Sequence, residues 1–228
     1  MSDHEHAGIP FHDEDGFPLW VSWAWVVCSV LITSAVRLGY RLRATGRRRI
    51  PKRGGVLIVS NHMSSVDPPV VGVVVWPRKL YYMAKVELFR PWALRFVITR
   101  TGAFPVRRGE SDREAIRMAR GILRRGDAMV MFPEGTRSED GILGAPFPGA
   151  GMLALEPGIT VVPMALWGTK FRFGPVRAVV GEPIDMSDLG SGPRSERARI
   201  ATERMMDALA DLVPLAGGPV QPDRAGDP

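Results

Sequence analysis

His62 and Asp67 are separated by four residues in the stretch Val56-Leu57-Ile58-Val59-Ser60-Asn61-His62-Met63-Ser64-Ser65-Val66-Asp67-Pro68-Pro69. An imidazole whose second ring nitrogen is held by a carboxylate has a fixed tautomer and a stabilised protonated form, which suits it to take a proton from an alcohol. The apolar, β-branched residues ahead of Asn61, bounded by Gly54-Gly55, read as a buried strand. Behind them, Asp67 followed by Pro68 reads as a helix start, with aspartate as N-cap and proline at the first helical position. His62 and Asp67 then face each other across one short loop. One carboxylate oxygen can cap the helix while the other takes the imidazole proton, so a capping and a catalytic role for Asp67 are compatible. The remaining histidines, His4, His6 and His12, lie in a polar leader, so a neutral imidazole that moves a proton is His62.

A second polar cluster follows a second apolar run. Ala128-Met129-Val130-Met131-Phe132 reads as a strand and ends in Pro133-Glu134-Gly135-Thr136-Arg137-Ser138. Gly135 permits close backbone approach, and Arg137 offers the planar fork that grips a phosphate. Its plainer role is that of a surface arginine beside Glu134 or Glu139. In open α/β sheets ligands collect beyond the carboxyl ends of strands, so the loops carrying His62 and Arg137 are expected to share one crevice. Between them, Thr101 to Gly109 reads as turn, short extended piece and turn, where at most one of Arg107 and Arg108 points into a given pocket.

These loops must be held by a sheet and its helices, and 228 residues suffice for one domain with a proper core. Lys79–Met83, Ile159–Leu166 and Val176–Val180 read as further strands. Pro68–Trp76, Leu88–Ile98, a segment opened by Ser111 with Glu114 at capping-box spacing, and Glu196–Leu212 read as helices, the second of them largely buried. The fold class is α/β, a mixed, largely parallel central sheet flanked by helices, with a membrane-associated helix at the N-terminus. Residues 1–18 form an acidic leader and 214–228 a tail, both expected to be disordered, around a folded domain at 44–213.

The expected membrane helix, 19–43, rests on composition. Leu19 to Val36 carries no formal charge and includes Trp20, Trp23 and Trp25, after which Arg37, Arg41, Arg43, Arg47, Arg48, Arg49, Lys52 and Arg53 follow with no acid among them. Eighteen residues reach ~27 Å against a ~30 Å hydrocarbon core, so spanning is marginal and a helix lying in one leaflet fits equally well. The basic block, within a net charge of +6, seeks polyanions, and its apolar neighbour favours anionic lipid over nucleic acid. By the positive-inside rule the domain lies on the cytoplasmic side of the cell membrane. Cys28, alone in the chain, can form no intramolecular disulfide.

Four blocks in order resemble the glycerolipid acyltransferase family: Asn61-His62 with Asp67, Gly102 with Arg108, Phe132 to Ser138, and Val162-Pro163. The resemblance covers about residues 37–185 and implies a domain in which His62 deprotonates a glycerol hydroxyl that attacks a fatty acyl thioester, with Asp67 orienting the ring. It further implies that Arg108, Glu134, Gly135, Thr136 and Arg137 bind the acceptor, the arginines holding its phosphate. The partners it implies are a lysophospholipid, an acyl-CoA or acyl carrier protein donor and an anionic membrane surface; neither metal nor cofactor nor nucleic acid is expected. Members often carry a lysine or arginine shortly after the third block, where this chain has Pro146-Phe147-Pro148, so a lysolipid other than lysophosphatidic acid stands as the alternative acceptor.

Other chemistries lack their parts. Gly149-Ala150-Gly151-Met152-Leu153-Ala154 has no apolar strand leading directly into it, as a dinucleotide site requires, and no Gly-x-Ser-x-Gly elbow exists. A basic module without catalysis, docking on anionic lipid through Arg37 to Arg53, is the reading from a different class.

Overall fold

The computed structural model of the protein describes residues 22–107, 112–147, 149–171 and 174–222. In chain order its elements are α1 (Ser22–Tyr40), β1 (Arg43–Thr45), β2 (Val56–Ser60), α2 (Asp67–Val75), β3 (Leu80–Lys85), α3 (Trp92–Arg100), β4 (Ala103–Val106), α4 (Arg113–Arg124), β5 (Ala128–Met131), α5 (Gly149–Ala154), β6 (Thr160–Trp167), β7 (Arg177–Val180) and α6 (Arg194–Ala216). The strands form one sheet of order β1-β7-β6-β2-β5-β3-β4. Only the β6–β7 pairing is antiparallel, so the sheet is mixed and largely parallel, as expected.

β2 lies at the middle and all five of its residues are buried, which is why it reads as an unbroken apolar run. Its side chains alternate. Leu57 and Val59 join the core under α4, α5 and α6, whereas Val56 and Ile58 join the core under α1 and α2. β5 repeats the division, with Met129 on the first face and Ala128 and Val130 on the second. β2 and β5 are neighbours in parallel register, Val56 opposite Ala128 and Val59 opposite Met131, so both end on the same side of the sheet. That adjacency brings the two polar loops together.

Several expectations change. α1 turns Ile32, Val36 and Tyr40 onto the core and leaves Val27, Leu31 and Leu38 exposed. Among the described residues no helix is long and apolar enough to cross a membrane. The basic block is divided, because Arg47 donates to the carbonyls of Val74 and Trp76 at the end of α2, and Arg49 bonds the Val180 carbonyl and pairs with Glu182. α4 starts from Asp112, whose carboxylate accepts from the amide of Ala115; Ser111 lies outside the described residues. Past the boundary expected at 213, α6 continues to Ala216, and Gln221 binds the Leu143 amide and the Gly141 carbonyl. α3, expected to be largely buried, has no buried residue. Arg78, singled out by no motif, donates to the carbonyls of Pro51, Gly54 and Gly126 at 2.5 to 2.8 Å and ties the loops at the amino end of the sheet.

At that end α4, α5 and α6 are joined through Glu156, which is buried and pairs with Arg120 at 3.1 Å, Arg124 at 2.6 Å and Arg194 at 2.7 Å. Burial opposes its charge, and the guanidiniums of Arg124, Arg194 and Arg120 outweigh burial, so the carboxyl stays below the ordinary glutamate value of 4.5. A carboxyl depressed in the folded chain contributes stability above that value and loses it as the pH falls through the folded pKa. Denaturation midpoints followed from about pH 6 to about pH 3 should therefore fall less steeply for Glu156→Gln than for the native chain, though from a lower start. Parallel curves would remove Glu156 from the acid response.

Candidate active site

The loop after β2 is organised by one carboxylate oxygen. Asp67 Oδ2 accepts from His62 Nδ1 at 2.8 Å, from the amide of Met63 at 2.6 Å and from the amide of Ser64 at 2.7 Å. Asp67 is fully buried, and its other oxygen, Oδ1, has no hydrogen-bond partner among the described residues. The division of labour expected from the sequence is absent: α2 begins at Asp67 itself, with Val66 as its cap residue and no side-chain cap, and the carboxylate closes the His62 loop instead. Because Oδ2 already accepts two amide protons, it acts as acceptor toward the ring as well. Nδ1 therefore carries a proton, and Nε2 presents a lone pair.

The loop after β5 holds the first loop from the other side. Glu134, buried, accepts the His62 amide on Oε1 at 3.0 Å and the Gly144 amide on Oε2 at 2.9 Å. The amide of Ser138 donates to the His62 carbonyl at 2.8 Å, and the Phe132 ring stacks on the imidazole with centroids 4.1 Å apart. Asn61, quoted in the motif but given no role there, bonds both backbone groups of Leu166 in β6 at 2.7 and 2.9 Å. The backbone of His62 is thus fixed from β5, and that of its neighbour from β6. Gly135 has φ +66°, and a Cβ there would meet the Phe147 ring at 2.6 Å. What approaches Gly135 closely is this aromatic side chain.

His62 opens into a cavity of about 750 Å³, and Thr136 and Arg137 line the same cavity. Away from these polar groups its wall is largely apolar, built from Ile32 of α1, Val73 of α2, Met83 of β3 and Leu94 and Val97 of α3. Arg137 is exposed, and its guanidinium has no hydrogen bond or ion pair among the described residues. Tyr82, also in the wall, is pushed up to about 12 by burial, against the opposite effect of its 2.9 Å hydrogen bond to Thr101. Of the residues picked from the sequence, His62, Thr136 and Arg137 meet in the cavity. Asp67, Glu134 and Gly135 form its support, and Arg108 lies outside the described residues.

Residues 41–167 match the family model described as Acyltransferase, more than half of the chain. The chain belongs to the acyltransferase family. This acyltransferase is 28% identical over 191 residues to a 1-acyl-sn-glycerol-3-phosphate acyltransferase of Bacillus subtilis, covering 81% of this chain and 94% of that one. It is 32% identical over 168 residues to the lyso-ornithine lipid O-acyltransferase of Pseudomonas aeruginosa, covering 72% of this chain and 62% of that one. Its fold is shared with the crystal structure of the 1-acyl-sn-glycerophosphate acyltransferase of Thermotoga maritima, at a TM-score of 0.64 and 24% identity, over 82% of this chain and 79% of the other.

Two substitutions in this acyltransferase separate orientation from binding. Asp67→Asn can donate where an acceptor is needed, releasing the tautomer, and kcat should fall on the order of 10³-fold or more. Glu134→Ala frees the His62 amide and should lower kcat by at least about tenfold, with KM for both substrates little changed. A rise in acceptor KM at constant kcat would return Glu134 to the acceptor-binding role expected from the sequence.

Proposed function

We propose that the chain moves a fatty acyl group from acyl-CoA or acyl carrier protein to the free hydroxyl of 1-acylglycerol-3-phosphate, giving phosphatidic acid at the cytoplasmic side of the cell membrane. The observation that carries this reading is the shared cavity of His62 and Arg137. The Arg137 fork takes the acceptor phosphate, which sets the neighbouring hydroxyl against Nε2. Nε2 removes the hydroxyl proton as the oxygen bonds to the thioester carbonyl carbon. When the tetrahedral adduct collapses, the carbon–sulfur bond breaks and the imidazolium returns its proton to the leaving thiolate. Asp67 stabilises the transient positive charge on the ring. The apolar wall between α1, α2, β3 and α3 receives an acyl chain. The exposed Val27, Leu31 and Leu38 of α1 rest in one leaflet, with Arg37, Arg41 and Arg43, all exposed, at the anionic headgroups.

The activity named for the Bacillus subtilis relative supports this acceptor. A second acceptor is favoured by Phe147, whose ring and not a cation stands over Gly135 after the third block, and by the lyso-ornithine activity named for the Pseudomonas aeruginosa relative. Purified protein given mixed acyl thioesters should release free thiol only when a lyso-acceptor is present, and mass spectrometry of the product identifies the acceptor. His62→Ala should abolish turnover while keeping vesicle binding. Arg137→Ala should raise the KM for lysophosphatidate by about 10- to 100-fold, the worth of a charge-assisted pair, with a smaller effect on kcat. An unchanged KM would remove the phosphate from Arg137.

A further inference from the structure

α3 is apolar at Trp92, Ala93, Leu94, Phe96, Val97 and Ile98, yet none of its nine residues is buried. Trp92 is 82% exposed and Phe96 46%, a large cost in water for a helix this short. The helix packs beside α1, whose apolar residues Val27, Leu31 and Leu38 are also exposed. Cations surround the α3 portion: Lys85 and Arg90 are exposed, and Arg95 and Arg100 are half-buried, against the single acid Glu87. The Arg100 guanidinium lies over the Phe96 ring at 3.6 Å and donates to the Phe96 carbonyl at 3.3 Å. The inner residues Leu94 and Val97 line the cavity that holds His62.

We propose that α3 is a second membrane-docking element, inserting Trp92 and Phe96 among the acyl chains of an anionic leaflet and setting the cavity wall it forms against the hydrocarbon. The cationic surround selects an anionic lipid surface, and the exposed apolar residues of the adjacent α1 favour a bilayer over a protein partner. The choice of a lipid surface rests on the acyltransferase reading above. The consequence for that reaction is a lateral route: a lysolipid or acyl chain reaches the cavity past α3 without crossing water.

Co-sedimentation of the full chain with vesicles of phosphatidylcholine, alone or mixed with phosphatidylglycerol, tests this directly. The double variant Trp92→Ser, Phe96→Ser should bind the mixed vesicles at least about tenfold more weakly. Leu215→Ser, which removes a 67% exposed leucine from α6, should bind as the native chain does. Turnover of a short-chain, water-soluble lyso-acceptor and thioester should be unchanged in the double variant, because neither residue lines the cavity; if the native chain turns over no acceptor, the acyltransferase reading fails while the vesicle measurement still decides α3. Equal vesicle affinity of the double variant and the native chain would overturn the proposal. So would a native dimer in solution that the double variant converts to monomer, since a second copy would then cover α3.

Discussion

The site depends on two loops held in fixed relation at the carboxyl ends of adjacent parallel strands. A histidine at a strand end is free to adopt many orientations, and here each degree of freedom is removed by a different contact. The ring is turned by Asp67 and packed by Phe132, the amide is held by Glu134, the carbonyl by the Ser138 amide, and Asn61 is locked to β6. The Asp67 contact is local to the loop after β2, and the others arise because β2, β5 and β6 lie side by side in parallel register. The buried β-branched residues of β2 therefore serve catalysis through the register they impose, besides their part in the core.

The remaining architecture supplies what that fixed base needs. α1, α2 and α3 leave a cavity with largely apolar walls on the side toward which the imidazole opens, and Arg137 lines the same cavity. Apolar walls with polar groups among them suit an amphiphile. The amino end of the sheet is held separately, by Arg78 across three loop carbonyls and by Glu156 beneath its arginines.

Much of this was legible in the sequence because the decisive signals are local. An apolar, β-branched run between a glycine pair and a polar motif can be little else than a strand, and the motif must sit at the strand's end. The pairing of His62 with Asp67 followed from the loop's length. What could not be read was the choice each polar group makes among partners. Asp67 had the look of a helix cap, but Met63 and Ser64 offer nearer amides; Glu134 resembled a ligand for the acceptor, while its carboxylate faces two backbone N–H groups distant in sequence, at His62 and Gly144. α3 was misread for a different reason. An apolar helix has the same composition whether protein or lipid covers it. β1 was missed because three residues bearing an exposed arginine carry no strand signal of their own, and their pairing with β7 is set by tertiary context.

Asp67 fixes the His62 ring with its lone pair turned toward the cavity. Nitrogen-15 chemical shifts of the His62 imidazole, assigned by comparison with a His62→Gln sample and read at a pH where the ring is neutral, report this directly. The proton should reside on Nδ1, with Nε2 bare, in the free protein. A ring protonated on Nε2, or one exchanging between both tautomers, would contradict it.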